Sequence, residues 1–369
     1  MVTDPLVSVV LVNYNGRSDL EASLPSLLAQ TYPAYEVLVV DNGSQDDSVT
    51  FLRQAYPEVK VIEAGRNLGF GAGNNRGVEH SAGELIVFTN YDVEFDREWL
   101  RCLVTRALTS PEIGLVAPKI LLYDQPEQMQ TCGLALQYTG HIFSRGLRQP
   151  STDFDRSCEL PCVSGCAFLI KKSVLDEVGG FDETYHHLDS EFFHSSFEDV
   201  DLSWRARLAG HKIVYEPSAI MYHKYVPKPM TLPRFRYLER GRHYTLLKDY
   251  SYSTLLGMLP ALGFAECITL CYSVLRGPRY VVEKLRCYGW LLRAHRQIAE
   301  AHRVSQSVRR VSDREIVTLL QHGTELRHAP LPKWLVGPTV RVINAAFEAA
   351  YWQLALVLSA TGSASDNLA

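Results

Sequence analysis

Several common signatures are missing from this 369-residue chain. Neither G-x-G-x-x-G nor G-x-x-x-x-G-K-[ST] occurs, so the usual phosphate loops of dinucleotide folds and P-loop enzymes are excluded. The eight cysteines never stand two residues apart: Cys158, Cys162 and Cys166 are spaced by four, as are Cys267 and Cys271. That leaves out the common zinc and cluster spacings and favours reduced, structural thiols in a cytoplasmic protein. A net charge of -4 gives no overall case for a nucleic-acid partner. No secretory h-region opens the chain, where Asp4 and Pro5 precede a strand-like run. Long uninterrupted apolar runs are lacking too. Leu255 to Leu275 is broken by Pro260, Gly263 and Glu266, and Val340 to Ser359 carries Arg341, Asn344, Glu348 and Gln353. A charge at the bilayer centre costs about 2.5–3.5 kcal/mol, so both segments suit lying on a membrane better than spanning it. There are no internal repeats, and only the last nine residues look frayed.

What is present is alternation. "VSVVLVNYN", "YEVLVVD", "VKVIEAG" and "GELIVFTN" read as strands. Between them stand a helix capped by Ser18 or Asp19, one capped by Asp46, Asp47 or Ser48, and a glycine-rich loop running into a third helix. This pitch predicts an α/β fold with a parallel sheet, whose ligands bind beyond the strands' carboxyl ends. Asn15, Asp41 and Asp92 all fall at those ends. After Pro118 the pattern loosens into turn signals, as in an edge insertion. It then recovers with "CAFLIKKSVLDEVGG" as strand and helix, "FEDVDLSWRARLAG" as a helix with Asp201 and Arg205 paired, and "HKIVYEPSAIMYH" as a strand pair. From about Leu232 the pattern is helical, and Arg276 to Arg314 holds ten basic residues against three acidic ones. The expected division is a catalytic domain over 1–231 and a helical region over 232–369.

Each candidate residue has two readings. Asp41 in "VVDNGSQDDS" either caps a turn or accepts from a nucleobase or ribose. The run "GRNLGFGAGNNRG" is either a turn or a close backbone approach to a nucleotide. Asp92, with Glu94 or Asn90 two residues away, either holds a hard divalent ion or caps a helix over Arg97 to Ala107. Glu198 and Asp199 either complement a helix dipole or supply a general base. His223, ending its strand, is structural or a ligand.

In their order these motifs resemble glycosyltransferase family 2, inverting enzymes of GT-A fold, and within it the rhamnosyltransferase-like branch. "VSVVLVNYNG", "VVDNGSQDDS", "RNLGFGAGNNRG", "TNYDVEF", "VSGCAFLIKKSVLDEVGGFDE" and "FEDVDLSWRARLAG" are six collinear blocks between Val7 and His223. The resemblance implies a nucleotide-diphospho-sugar transferase fold with a C-terminal helical region. Asn15, Asp41, Asn67, Gly69 and Asn74 would lie around the donor. Asp92 would hold Mg²⁺ or Mn²⁺ with His223 as a further ligand, and Asp199 would be the catalytic base with Glu198 beside it. Asn90 departs from the pattern, since many family members have the first Asp of the D-x-D motif there. The implied reaction moves a sugar, L-rhamnose from dTDP-rhamnose first among the candidates, to a hydroxyl of a glycan or lipid-linked acceptor in cell-surface polysaccharide synthesis. UDP-sugars, galactofuranose, glucose or an amino sugar stand as alternatives.

The basic and apolar tail fits a peripheral location on the cytoplasmic face of the plasma membrane, or packing on the catalytic domain or on a second subunit of a homo-oligomer. Cys267 and Cys271 share a helical face and are expected to pack. Two rival functions are a nucleotidyltransferase, for which Arg17 stands in no recognised triphosphate signature, and a non-catalytic scaffold subunit, against which Asp92 and Asp199 are both retained.

Overall fold

The computed structural model describes residues 4–185, 197–324 and 333–365. The chain divides into two compact units: Met1–Leu134 with Ser144–Pro227, and Ala135–Phe143 with Lys228–Ala369.

The first unit is an α/β layer structure. β1 (Val7–Asn13) is buried at every position and lies between β2 (Tyr35–Asp41) and β4 (Leu85–Thr89), both parallel to it. A strand covered on both faces reads as continuous Val and Leu rather than alternation. β3 (Lys60–Glu63) completes one edge. On the other side β11 (Ala167–Lys171) runs antiparallel between β4 and β6 (Ile113–Leu122), and β12 (Lys212–His223) follows, parallel to β6. β5 (Val93–Phe95) pairs antiparallel with the end of β12, β7 (Gln125–Thr131) with β6, and β10 (Cys158–Glu159) with β12. β8 (Leu134–Leu136) and β9 (Ile142–Ser144), most of whose residues fall in the second unit, form a separate ribbon. Helices α1 (Arg17–Leu28), α2 (Ser48–Ala55), α3 (Gly69–Glu79), α4 (Trp99–Leu108), α5 (Lys172–Val178) and α6 (Glu198–Leu208) belong to this unit. Leu20, Leu24 and Leu27 of α1 join the strand side chains in the core.

Several expectations need correction. Neither Ser18 nor Asp19 caps α1, which already starts at Arg17 with Gly16 as its cap. The glycine-rich run is mostly helix, not loop. Within α3, a Cβ on Gly73 would meet Val12 at 2.9 Å and one on Gly77 would meet Val10 at 2.3 Å. Those two glycines let α3 press against β1. The looser pattern of turns and short strands does come, as β7, β8 and β9, but it starts after Leu122 and not at Pro118, which sits inside a ten-residue, fully buried strand. Proline has no N–H for a ladder, and the register of β12 shifts between Glu216 and Ile220, next to the Pro118 pairing. "HKIVYEPSAIMYH" is accordingly one bulged strand, not a pair. Asp92 caps no helix: α4 begins at Trp99, and it is Asp96 Oδ1 that accepts from Glu98 N.

The second unit consists of α7 (Leu232–Asp249), α8 (Tyr252–Gly257), α9 (Leu259–Arg276), α10 (Pro278–Ser307), α11 (Asp313–Val317) and α12 (Lys333–Ser365). Of the nine residues expected to fray, 366–369 lie outside the described residues. Residues 135–143 enter this unit from far upstream. The Tyr138 hydroxyl donates to Phe347 O at 2.8 Å, and Tyr138 O accepts from the Tyr250 hydroxyl at 3.0 Å. The interior is polar around Lys284, which is fully buried and donates to Glu239 and, at 2.7 Å, to Glu266. Arg242 pairs with the same two carboxylates. All eight cysteines are free. Cys267 and Cys271 do not pack: both are exposed on the outer side of α9. By length and composition α9 is apolar enough to cross a membrane, and 22% of it is buried.

Candidate active site

β1 and β2 end side by side, with Asn13 paired in register to Asp41. Asn13 Nδ2 donates to Asp41 Oδ1 and to Ser44 Oγ, each at 3.1 Å, and Asn13 Oδ1 accepts from Gly16 N at 3.2 Å. Asp41 Oδ2 accepts from Ser44 N at 3.0 Å, so this buried carboxylate caps its own turn while it touches β1. Asn15 adopts φ 54°, a left-handed conformation that asparagine tolerates. Its Oδ1 accepts from Gln45 N at 2.7 Å, and its N–H donates to Ser44 Oγ at 2.9 Å. Two loops are thus laced together by Asn13, Asn15, Asp41 and Ser44.

Asn42 ties in the third element. It donates to Asn67 Oδ1 at 3.2 Å and Gly69 O at 3.0 Å, and accepts from Leu68 N at 3.0 Å. Asn67 Oδ1 also accepts from Gly69 N, where φ is +84°. Asn74 is buried in α3 and spends an amide hydrogen on Phe70 O. Asn13 and Asn42 were not among the residues singled out from the sequence. Their signal was there: each is a carboxamide at the end of an apolar strand, and both are fully buried.

Asp92 and His223 meet because β5 pairs with the end of β12, putting Val93 opposite His223. His223 Nε2 lies 3.3 Å from Asp92 Oδ2, longer than the roughly 2.7–2.9 Å of a close charge-assisted bond. Neighbouring ligand atoms of an octahedral ion, each about 2.1 Å away, lie about 3 Å apart. His223 Nδ1 is buried with no hydrogen-bond partner among the described residues. Burial disfavours the His223 imidazolium, but Cys166 and the Asp92 carboxylate outweigh it and lift the group to about 10. Tyr91 reports the same negative surroundings: burial first, then Asp92, Asp19 and Asp46, push its hydroxyl up to about 12. Oxygen and imidazole donors in a field that favours cations fit Mg²⁺ or Mn²⁺. Asn90 contributes its backbone N–H, which donates to Cys166 O at 2.9 Å.

One segment links that turn to α6. Beside Cys166, Gly165 N donates to Asp199 Oδ2 at 2.6 Å, while Asp199 Oδ1 accepts from Val200 N at 2.9 Å. A side chain at Gly165 would press on Asp199 Oδ2 and Phe70. Burial pushes the Asp199 carboxyl up to about 6 despite these backbone hydrogen bonds, and among the described residues no cation pairs with it. Two residues on, Asp201 is paired at 2.7 Å with Arg205, as expected. Glu198, also buried, opens α6 with its Cγ beside Gly71.

A sheet whose strand ends carry laced asparagine and aspartate loops, with an Asp–His pair and a buried carboxylate nearby, has the architecture of the GT-A fold. The crystal structure of GalNAc-T7 with UDP, GalNAc and Mn2+ has the same fold, with a TM-score of 0.54 at 18% identity over 70% of this chain and 51% of that one. The model for glycosyl transferase family 2 matches residues 8–179. N-acetylglucosaminyl-diphospho-decaprenol L-rhamnosyltransferase of Mycobacterium tuberculosis (strain ATCC 25618 / H37Rv) is 32% identical over 246 residues, 60% of this chain and 77% of that protein. The O-antigen biosynthesis protein RfbC of Myxococcus xanthus is also 32% identical, over 59% of this chain. The chain spans 17% of RfbC and 24% of the uncharacterized protein y4gI of Sinorhizobium fredii (strain NBRC 101917 / NGR234), which is 30% identical. This chain belongs to glycosyltransferase family 2.

Proposed function

We propose that the chain transfers a sugar, with inversion, from a nucleoside-diphosphate donor to a hydroxyl of a glycan or lipid-linked acceptor in cell-surface polysaccharide synthesis. The observation that carries this reading is Asp199: a buried carboxylate, unpaired with any cation among the described residues and raised to about 6. A general base works best with a value near the operating pH. Its Oδ2 is oriented by Gly165 N, so the carboxylate accepts the acceptor hydroxyl's proton as the oxygen attacks the anomeric carbon. One displacement opposite the leaving nucleotide inverts the centre, and no enzyme nucleophile is needed. The loops at Asn15, Asp41 and Asn67 orient the donor's base and ribose.

Asp92 and His223 would hold Mg²⁺ or Mn²⁺, which when bound neutralises charge growing on the leaving diphosphate. The similar GalNAc-T7 structure was solved with Mn2+. His223 can serve as a ligand only after releasing its proton. L-rhamnose from a dTDP donor is the first candidate, supported by the 32% identity to an L-rhamnosyltransferase; UDP donors follow. The cytoplasmic side of the membrane suits nucleotide-sugar donors and reduced thiols.

Thermal stabilisation by a panel of nucleotide-sugars, with Mn²⁺ and with EDTA, tests the reading. Binding at a hundredfold excess over Kd adds about 2.7 kcal/mol. The expected result is a metal-dependent shift with one donor, lost in Asp92→Ala. A flat panel would favour a non-catalytic scaffold.

A further inference from the structure

We propose that the outer face of the α9–α10 hairpin docks on an anionic bilayer surface; this does not depend on the transferase reading. The exposed residues of α9 recur at helical spacing, Leu259, Gly263, Cys267, Leu270 and Val274, so one side of the helix is an apolar ridge open to solvent. Val274 is 61% exposed. After the turn at Gly277, α10 carries a second exposed stripe with the same spacing. Val282, Leu285 and Leu292 there alternate with Arg279, Arg293 and Arg296, and Leu292 is 77% exposed. No acidic side chain is exposed between Arg279 and Arg296; Glu283, which falls between them, is buried. Apolar side chains interleaved with arginines match the acyl–headgroup boundary of an anionic leaflet.

The ion network inside this unit separates lying on a bilayer from crossing it. Glu266, in the middle of α9, pairs with Arg242 and His243 of α7 and with Lys284 of α10. Crossing would take these charges into hydrocarbon or break the pairs.

The test is co-sedimentation of the full chain with vesicles of phosphatidylglycerol and phosphatidylcholine, against phosphatidylcholine alone. Binding to the anionic vesicles is expected, with release by alkaline carbonate. Arg279→Gln/Arg293→Gln/Arg296→Gln should weaken it about tenfold or more, and Leu270→Ser/Val274→Ser/Leu292→Ser comparably, with unchanged circular dichroism. A polarity-sensitive dye on the exposed thiols Cys267 and Cys271 should shift to the blue only with the anionic vesicles. Equal binding to both lipids, no binding, or binding unaffected by either variant set would overturn the proposal. Retention through carbonate would replace it with a spanning helix. A dimer broken by the serine variant, without vesicle binding, would replace it with self-association.

Discussion

Both units bury carboxylates, and they treat them oppositely. In the helical unit Glu239 and Glu266 are surrounded by Arg242, His243 and Lys284. Burial pushes both upward, yet the Arg242 and Lys284 charges, with the His243 hydrogen bond to Glu266, more than offset it and hold Glu239 at about 2 and Glu266 lower still. In the α/β unit Asp199 is as buried as Glu239 and among the described residues accepts only from backbone N–H groups, so desolvation wins and it rises to about 6. The contrast even recurs along α6, where Asp201 is paired with Arg205 while Asp199 has no cation beside it among the described residues. A buried carboxylate with a cation is a structural staple. One without a cation stores the desolvation energy that makes it a base near neutral pH.

The largest expected effect comes from removing the unneutralised charge. Asp199→Asn should lower turnover about 10²–10⁴-fold while leaving donor-induced thermal stabilisation intact. The same change should also alter how stability depends on pH. The folded state favours the protonated acid, so the stability that protonation confers is full below the ordinary value of 3.8 and is lost as pH rises through about 6. Asn removes the titrating charge but keeps only one acceptor oxygen for the two backbone N–H groups, so the stability of the variant relative to the parent should rise by about 2–3 kcal/mol between pH ~4 and pH ~8. Urea midpoints at the two pH values check this, and a difference between variant and parent that stays constant with pH would break the comparison.

Lys284→Met, in the other unit, should cost about 3–5 kcal/mol because it strands buried carboxylates. Adding Glu239→Gln should restore part of that loss, measured as a thermal midpoint. Arg205→Met should cost about 3 kcal/mol or more through Asp201, setting the paired member of α6 beside its unpaired neighbour. The smallest effect serves as the control. Arg53 and Glu63 form a solvent-exposed pair, and Arg53→Ala should change stability by less than about 1 kcal/mol.

Much of the α/β unit was legible in its sequence because apolar runs and turn residues act over short distances. β1, β2, β3 and β4 follow from continuous Val, Ile and Leu, and the positions of Asn15, Asp41 and Asp92 follow from where those runs stop. The long strand β6 was not legible. Pro118 in its middle is a local breaker, tolerated because the register of β12 shifts beside it. The glycines of α3 misled for a related reason. Gly73 and Gly77 answer to Val12 and Val10 of β1, and a steric requirement across two elements leaves no mark that distinguishes it from a ligand-binding loop.

Local pattern therefore determined which residues stand at strand ends, since periodicity and turn chemistry depend only on neighbours. Tertiary structure decided what those residues meet. His223 reaches Asp92 across 131 positions because β5 pairs with β12. Gly165 aims its N–H at Asp199 because β11 runs antiparallel beside β4 and brings Cys166 O to Asn90 N. Residues 135–143 join a helical unit whose other members begin at Lys228. Sheet register and chain crossing sum contacts over the whole unit, and no window of sequence contains them.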